Sequence, residues 1–286
     1  MQTIKIKSKL RAATQRWRSE GEIIAFVPTM GNLHEGHLKL VDVARQHASK
    51  VIVSIFVNPT QFGAGEDIDN YPRTFDRDSS LLAERQVDLL FAPTTDEIYS
   101  KNENSLTQVQ VPGLSDILCG EFRPTHFGGV TTVVTKLFNI VQPDLAVFGE
   151  KDFQQLFLIR KMVEDLDFPI KVLGVPIVRE ADGLAMSSRN SYLSADQRRL
   201  AADLNKYLVL ARESIEQGER NYRKIEENAA KILENNGLLP DYVSIRRSSD
   251  LQEANSDDSE LVILSAVKLG STRLIDNITI DLSGTI

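Results

Sequence analysis

Two histidines three residues apart, His34 and His37, stand in the stretch Val27-Pro-Thr-Met-Gly-Asn-Leu-His-Glu-Gly-His37, with Gly31 and Gly36 among them. Imidazole can donate, accept or carry charge near neutral pH. At the start of a helix the first backbone N–H groups lack intrahelical partners and the dipole is positive, so such a place attracts phosphate. Glycines let a ligand approach the main chain. The chemistry this predicts is stabilisation of negative charge on a phosphoryl group.

The elements that must position these residues are a strand and a helix. Ile23 to Val27 is a short apolar run that stops at Pro28, the turn contains Gly31, and helical spacing from His37 onward puts Leu38, Val41 and Ala48 on one face. A metalloprotease helix, His-Glu-x-x-His, needs its ligands four apart, whereas these are three apart with no evident third ligand. A P-loop shares the glycine spacing, but His37 and Leu38 stand where it requires Lys and Ser or Thr. An ordinary strand-to-helix turn with two surface histidines stays open for this stretch taken alone.

A chain of 286 residues can bury a large core and split into two domains. A formal charge of −7 argues against a nucleic-acid partner, because binding a phosphate backbone ordinarily needs a basic face. The single cysteine, Cys119, rules out an internal disulfide, in keeping with a reducing cytoplasm. No apolar run reaches the length of a membrane span, and Lys5, Lys7, Lys9 and Arg11 are not followed by a signal core.

Along the chain, strands alternate with helical patterns. Lys9 to Glu20 reads as a helix, Val51 to Val57 as a strand buried on both faces, Thr74 to Gln86 as a helix, Val87 to Ala92 as a strand and Thr107 to Val111 as a short strand. A helical pattern from Val130 ends at Pro143, and Leu145 to Phe148 is a strand followed by Gly149-Glu-Lys-Asp152, with Asp152 placed as the N-cap of the next helix. Ile170 to Val178 supplies another strand. The reading is α/β, an open sheet whose strands alternate with helices and whose ligands sit beyond the carboxyl ends of the strands. Asn58 and Gln61, in the loop after Val57, are then candidates for substrate contact, with turn chemistry as the rival role. Arg123 and His126 can bind an anion or pair with nearby acids. After Arg179 come a mixed loop, two long helices (Ala195 to Gln217, Tyr222 to Asn235) and three strands, the last two suggesting a hairpin. Helices followed by strands indicate a smaller, separate α+β domain, giving a division into residues 1–178 and 179–286.

Four ordered motifs, Pro28-Thr-Met-Gly-Asn-Leu-His-Glu-Gly-His37, Phe56-Val-Asn-Pro-Thr-Gln-Phe-Gly63, Gly149-Glu-Lys-Asp-Phe-Gln-Gln155 and Met186-Ser-Ser-Arg189, closely resemble the pantothenate synthetases, within the wider His-x-Gly-His nucleotidyl-transferring group. The resemblance implies ATP-dependent condensation of pantoate with β-alanine through pantoyl adenylate, releasing pyrophosphate and AMP. It also implies an α/β fold, with a Rossmann-like N-terminal domain built on a mostly parallel sheet flanked by helices and a C-terminal lid, ATP as a substrate with Mg2+, and a homodimer. Carried over by position, ATP would be met by Met30, Gly31, Asn32, Leu33, His34, Glu35, Gly36 and His37, by Gly149, Glu150, Lys151 and Asp152, and by Val178, Met186, Ser187, Ser188 and Arg189. Pantoate would be held by Gln61 and Gln155, with Gln61 also near β-alanine, and the catalytic group would be His37, His34 and Lys151, with His37 the family's proton donor. The roles fit the chemistry, since negative charge develops on the α-phosphate and on departing pyrophosphate, and neutral amides orient pantoate without tying its carboxylate to a cation. No side chain in these motifs is an obvious base for the amine, which leaves proximity as the main contribution to the second step. The rivals are a nucleotidylyltransferase, which would not use paired glutamines, and a catalytically silent nucleotide-binding regulator, which would need fewer donors.

Overall fold

The structure is a computed structural model that describes residues 1–63, 65–99 and 106–284. Its elements in chain order are β1 (Gln2–Ile4), α1 (Lys7–Ser19), β2 (Ile24–Thr29), α2 (Glu35–His47), β3 (Lys50–Ile55), α3 (Phe75–Glu84), β4 (Leu89–Phe91), α4 (Thr95–Ile98), α5 (Cys119–Phe122), α6 (His126–Val141), β5 (Leu145–Gly149), α7 (Phe153–Asp165) and β6 (Lys171–Val175), followed by α8 (Ala195–Glu216), α9 (Tyr222–Asn235), β7 (Leu239–Arg247), β8 (Glu260–Leu269) and β9 (Thr272–Asp281). The chain divides into two compact units, residues 1–150 with 155–176 and residues 151–154 with 177–286.

In the first unit, the described strands form a six-stranded sheet in the order β1-β4-β3-β2-β5-β6, every pairing parallel. Period-2 alternation divides its side chains between two cores. Ile24 and Phe26 of β2, Ile52 of β3 and Phe148 of β5 pack with α1, α6 and α7, while Ala25, Val27, Val53 and Val147 pack with α2 and α3. This two-sided burial is why the strands read as continuous apolar runs. The order reverses between β2 and β5, so the turns after these two strands flank the topological switch point, the expected place for a ligand in such a sheet.

Three local expectations are corrected. Strand β2 runs through Pro28 rather than stopping at it. Odd-numbered residues bond toward β3 (Ile23 O from Lys50 N, Thr29 O from Phe56 N) and Ile24 O accepts from Asp144 N, so the N–H that Pro28 lacks would have faced β5, which pairs with β2 only at Ala25 and Phe26. Residues Thr107 to Val111 form no strand. Val109 instead spends its backbone on α6, its N–H donating to Thr132 Oγ1 at 2.9 Å and its carbonyl accepting from Thr131 Oγ1 at 2.5 Å. Asp152 is no N-cap, because Glu150 to Asp152 is a 3-10 turn that runs straight into α7. β1 went unread because three residues are too few to display a period.

In the second unit α8 and α9 cover an antiparallel sheet ordered β7-β8-β9. Leu208, Ala211 and Ile215 of α8 meet Ile245, Ile263 and Ile280, while Leu204 and Leu233 meet Val267 and Leu274. The expected hairpin is β8–β9, closed by Leu269 opposite Thr272. Among the described residues no helix is long and apolar enough to cross a membrane.

Candidate active site

The turn between β2 and α2 is built by its own sequence. Gly31 (φ +82°) and Asn32 (φ +50°) take left-handed backbone, and a Cβ on Gly31 would come within 3.1 Å of Asp78 Oδ2 and of Ile55. His34 is the N-cap of α2, which begins at Glu35, two residues before the start expected from spacing. Its Nδ1 accepts from Gly36 N (3.2 Å), and Nδ1 of His37 accepts from His34 N (3.3 Å). The imidazoles perform the reciprocal cap that Ser and Glu ordinarily perform, and their ring centroids lie 4.1 Å apart. A neutral imidazole that accepts at Nδ1 carries its proton on Nε2, so Nε2 is the donor nitrogen of each ring.

The amides of the turn ahead of the helix are taken up within the protein: Gly31 N bonds Thr29 Oγ1 (3.2 Å), and the buried carboxylate of Asp78 accepts from Asn32 N (2.8 Å) and Leu33 N (2.9 Å). The positive end of α2 is thereby relayed through two side chains. Asp78, on α3, was not picked out by sequence reasoning; an acid in an amphipathic helix gives no signal that it will cross to another turn.

After β3, Asn58 caps the 3-10 turn Pro59–Gln61. Gln61 is buried, and its Nε2 lies 3.3 Å from Met30 Sδ, which brings this loop to the histidine turn. Arg123 pairs in a bidentate way with Glu66 (2.7 and 2.5 Å), and His126 Nδ1 lies 2.9 Å from Gln61 O, so both take the structural option and hold the glutamine loop. Burial works to raise the Glu66 pKa, but the hydrogen bond and charge of Arg123, with smaller help from Gly63 N–H and His126, hold it below the usual glutamate range.

On the other side of the switch point, Gly149 ends β5 and the Glu150 carboxylate lies over Gly174 of β6, 2.7 Å from where a Cβ would stand. Gln155 is partly exposed on the first turn of α7.

The second unit gathers the remaining candidates. Lys151 donates none of its position to chance: its carbonyl accepts from Asn277 Nδ2 of β9 at 3.0 Å, and the neighbouring Asp276 is held in a bidentate pair by Arg179 (2.7 and 2.9 Å). Burial lowers the Lys151 pKa and Arg189 lowers it further, against the opposing charges of Asp152 and Asp276. Arg179 bridges to Ala185, and Met186 N donates to Val178 O at 3.0 Å, so Val178 is tied to the Met186–Arg189 loop; Ser187 Oγ accepts from Arg189 N at 3.3 Å and caps the 3-10 turn Ser188–Tyr192. Lys151, Arg189 and two serines form a cationic, hydroxyl-rich group suited to phosphate oxygens. Asp152 is exposed beside it.

The sequence model of the pantoate–β-alanine ligase family matches residues 2–279. A pantothenate synthetase of Methylococcus capsulatus is 54% identical over 285 residues, covering 100% of both chains, and one of Pseudomonas fluorescens is 55% identical over 282 residues, covering 99% of each. Among solved structures, the pantothenate synthetase of Thermus thermophilus superimposes with a TM-score of 0.91 at 45% identity over 97% of this chain and 99% of that one. The pantoate–β-alanine ligase of Francisella tularensis, complexed with β,γ-ATP and β-alanine, gives 0.82 at 32% identity over 97% of each chain. With the same fold and a match from one end to the other, this chain belongs to the pantoate–β-alanine ligase family.

Proposed function

We propose that the chain condenses pantoate with β-alanine at the expense of ATP, as a ligase that forms a carbon–nitrogen bond in pantothenate biosynthesis. In the first step a carboxylate oxygen of pantoate bonds to the α-phosphorus and the bond to the bridging oxygen of pyrophosphate breaks. In the second, the β-alanine amine attacks the acyl carbon of pantoyl adenylate and AMP departs. The reading is carried by the reciprocal His34–His37 cap at the carboxyl end of β2, beside the switch point, in a chain that the family matches almost throughout.

The residue roles follow the chemistry. His34 and His37 donate from Nε2 to the phosphoryl oxygens that gain charge, and Lys151, Ser187, Ser188 and Arg189 offer amine, guanidinium and hydroxyl donors suited to phosphate oxygens. With its pKa lowered by burial, Lys151 loses its charge at a lower pH than an ordinary lysine does. Gln61 and Gln155 orient pantoate. Among the described residues no group of three or more His, Cys, Asp or Glu side chains is arranged to hold a metal ion, which fits a Mg2+ that arrives on the nucleotide with phosphate oxygens and waters as most of its ligands. We further infer a cytoplasmic enzyme, in keeping with a lone cysteine, and a homodimer, on the strength of the family resemblance.

The test is exchange of labelled pyrophosphate into ATP without β-alanine. Exchange that depends on pantoate is expected, because it requires a reversible adenylate. Binding of both ATP and pantoate with no exchange would remove the first step.

A further inference from the structure

Gln61 has an amide whose two ends are opposite in hydrogen-bonding sense, and the structure fixes which end is offered. Asn58, only 1% exposed, sits beneath it. Asn58 Nδ2 donates to Gln61 Oε1 (3.0 Å) and to the carbonyl of Gly129 in α6 (3.2 Å). On its other side Asn58 Oδ1 accepts from Tyr99 Oη (2.7 Å), from Thr60 Oγ1 (3.0 Å) and from Thr60 N (3.4 Å). A backbone N–H can only donate and a backbone carbonyl can only accept, so Thr60 N and Gly129 O leave Asn58 a single amide orientation. Tyr99, 5% exposed, reinforces it with the shortest of these bonds.

Gly129 makes the arrangement possible: a Cβ there would stand 2.3 Å from Thr60 O and 2.7 Å from Gln61 Cα, so α6 reaches the loop only because that position has no side chain. His126 and Arg123 hold Gln61 O from the same side (2.9 and 3.4 Å), fixing the backbone while Asn58 fixes the side chain.

Building on the reading of Gln61 as a pantoate contact, we propose that Tyr99 and Asn58 are positioning residues whose hydrogen-bond relay commits Gln61 to meet the acid substrate with Nε2 alone, so that the site selects a hydrogen-bond acceptor there. Both protons of Asn58 Nδ2 are spent, one of them on Gln61 Oε1, and Nε2 points toward the Met30 end of the histidine turn. An inverted Gln61 amide would set its Nε2 against Asn58 Nδ2, two donors face to face, and leave a buried amide unsatisfied. Specificity of this kind comes from refusing the wrong polarity as much as from binding the right one.

The test compares Asn58→Asp, Asn58→Ala, Tyr99→Phe and Gln61→Ala in the full chain by pantoate-dependent pyrophosphate exchange, at mildly alkaline pH where a carboxylate at position 58 is ionised. The near-isosteric Asn58→Asp offers Gln61 an acceptor, turns its amide over and is expected to raise KM for pantoate about thirty-fold, with KM for ATP within about twofold. Asn58→Ala, which leaves Gln61 able to turn either way, is expected to cost less. Inhibition by the uncharged carboxamide of pantoate separates polarity from charge repulsion, and it too is expected to weaken in Asn58→Asp. Tyr99→Phe, which keeps the ring and carries no new charge, is expected to raise KM for pantoate about three- to tenfold and leave KM for ATP unchanged. An Asn58→Asp loss no greater than that of Asn58→Ala, a loss confined to the charged acid, or no change in Tyr99→Phe would overturn the relay. No effect of Gln61→Ala on pantoate would instead overturn the reading on which it rests.

Discussion

The histidine turn and the glutamine loop leave adjacent parallel strands, β2 and β3, yet they are held in opposite ways. In the turn the histidines cap one another, Thr29 serves Gly31, and one carboxylate from α3 takes two amides. In the loop the partners are Tyr99, Arg123, His126 and Gly129, 38 or more positions away along the chain. A turn that closes mainly on its own residues, with the Asp78 carboxylate as a distant brace, can present donors for chemistry common to many nucleotide-binding proteins. A loop that hangs on distant residues can be tuned for one substrate without disturbing the turn.

The contrast is broken most strongly at His37. His37→Ala is expected to lower the exchange rate about 10²- to 10³-fold, while ATP affinity measured by calorimetry changes little, because the lost donor acts on charge that develops in the transition state. A loss confined to affinity would make the turn a binding device and erase its difference from the loop. Next is Asp78. Asp78→Ala strips two amides of their acceptor and is expected to lower the unfolding free energy in urea by about 2–3 kcal/mol, with a rise in KM for ATP larger than that for pantoate.

On the loop side, Gly129→Ala forces a methyl against Thr60 O and is expected to cost about 1–3 kcal/mol in the same urea measurement, with the KM effect falling on pantoate rather than on ATP. The smallest effect belongs to Glu66→Gln. Because the folded-state pKa of Glu66 is depressed, its pairing with Arg123 stabilises the fold above the unfolded glutamate pKa and is lost as pH falls through the lower folded value. The difference in melting temperature between wild type and Glu66→Gln is therefore expected to be under a few degrees near neutral pH and to vanish in acid. A gap that persists in acid would mean the carboxylate's charge is irrelevant to the loop.

How much of this was legible differs along the same lines. The parallel sheet could be read because each strand is buried on both faces and each helix keeps one apolar stripe, so local pattern and tertiary demand agree. They disagreed at Thr107 to Val111, where a β-rich run gives its backbone to threonines of α6 instead of to a neighbouring strand. His34 and His37 could be singled out from spacing, but that they accept through Nδ1 depends on the turn closing with Gly31 and Asn32 in left-handed backbone. Asn58 was visible as a turn residue, whereas Tyr99 and Gly129 gave no signal at all, since nothing in a tyrosine after a short helix or a glycine within a long one tells which distant carbonyl it will approach.

The sequence by itself determined the α/β class, the turn that carries the histidines, and through four ordered motifs the family. These rest on interactions between residues close along the chain, or on patterns repeated over whole elements. The tertiary structure alone decided which amides are already spent, that the Asp78 carboxylate braces the turn, and which end of Gln61 is offered to a substrate. Hydrogen bonds are directional and short-ranged, so these features exist only once folding has brought distant groups to within about 3 Å of one another.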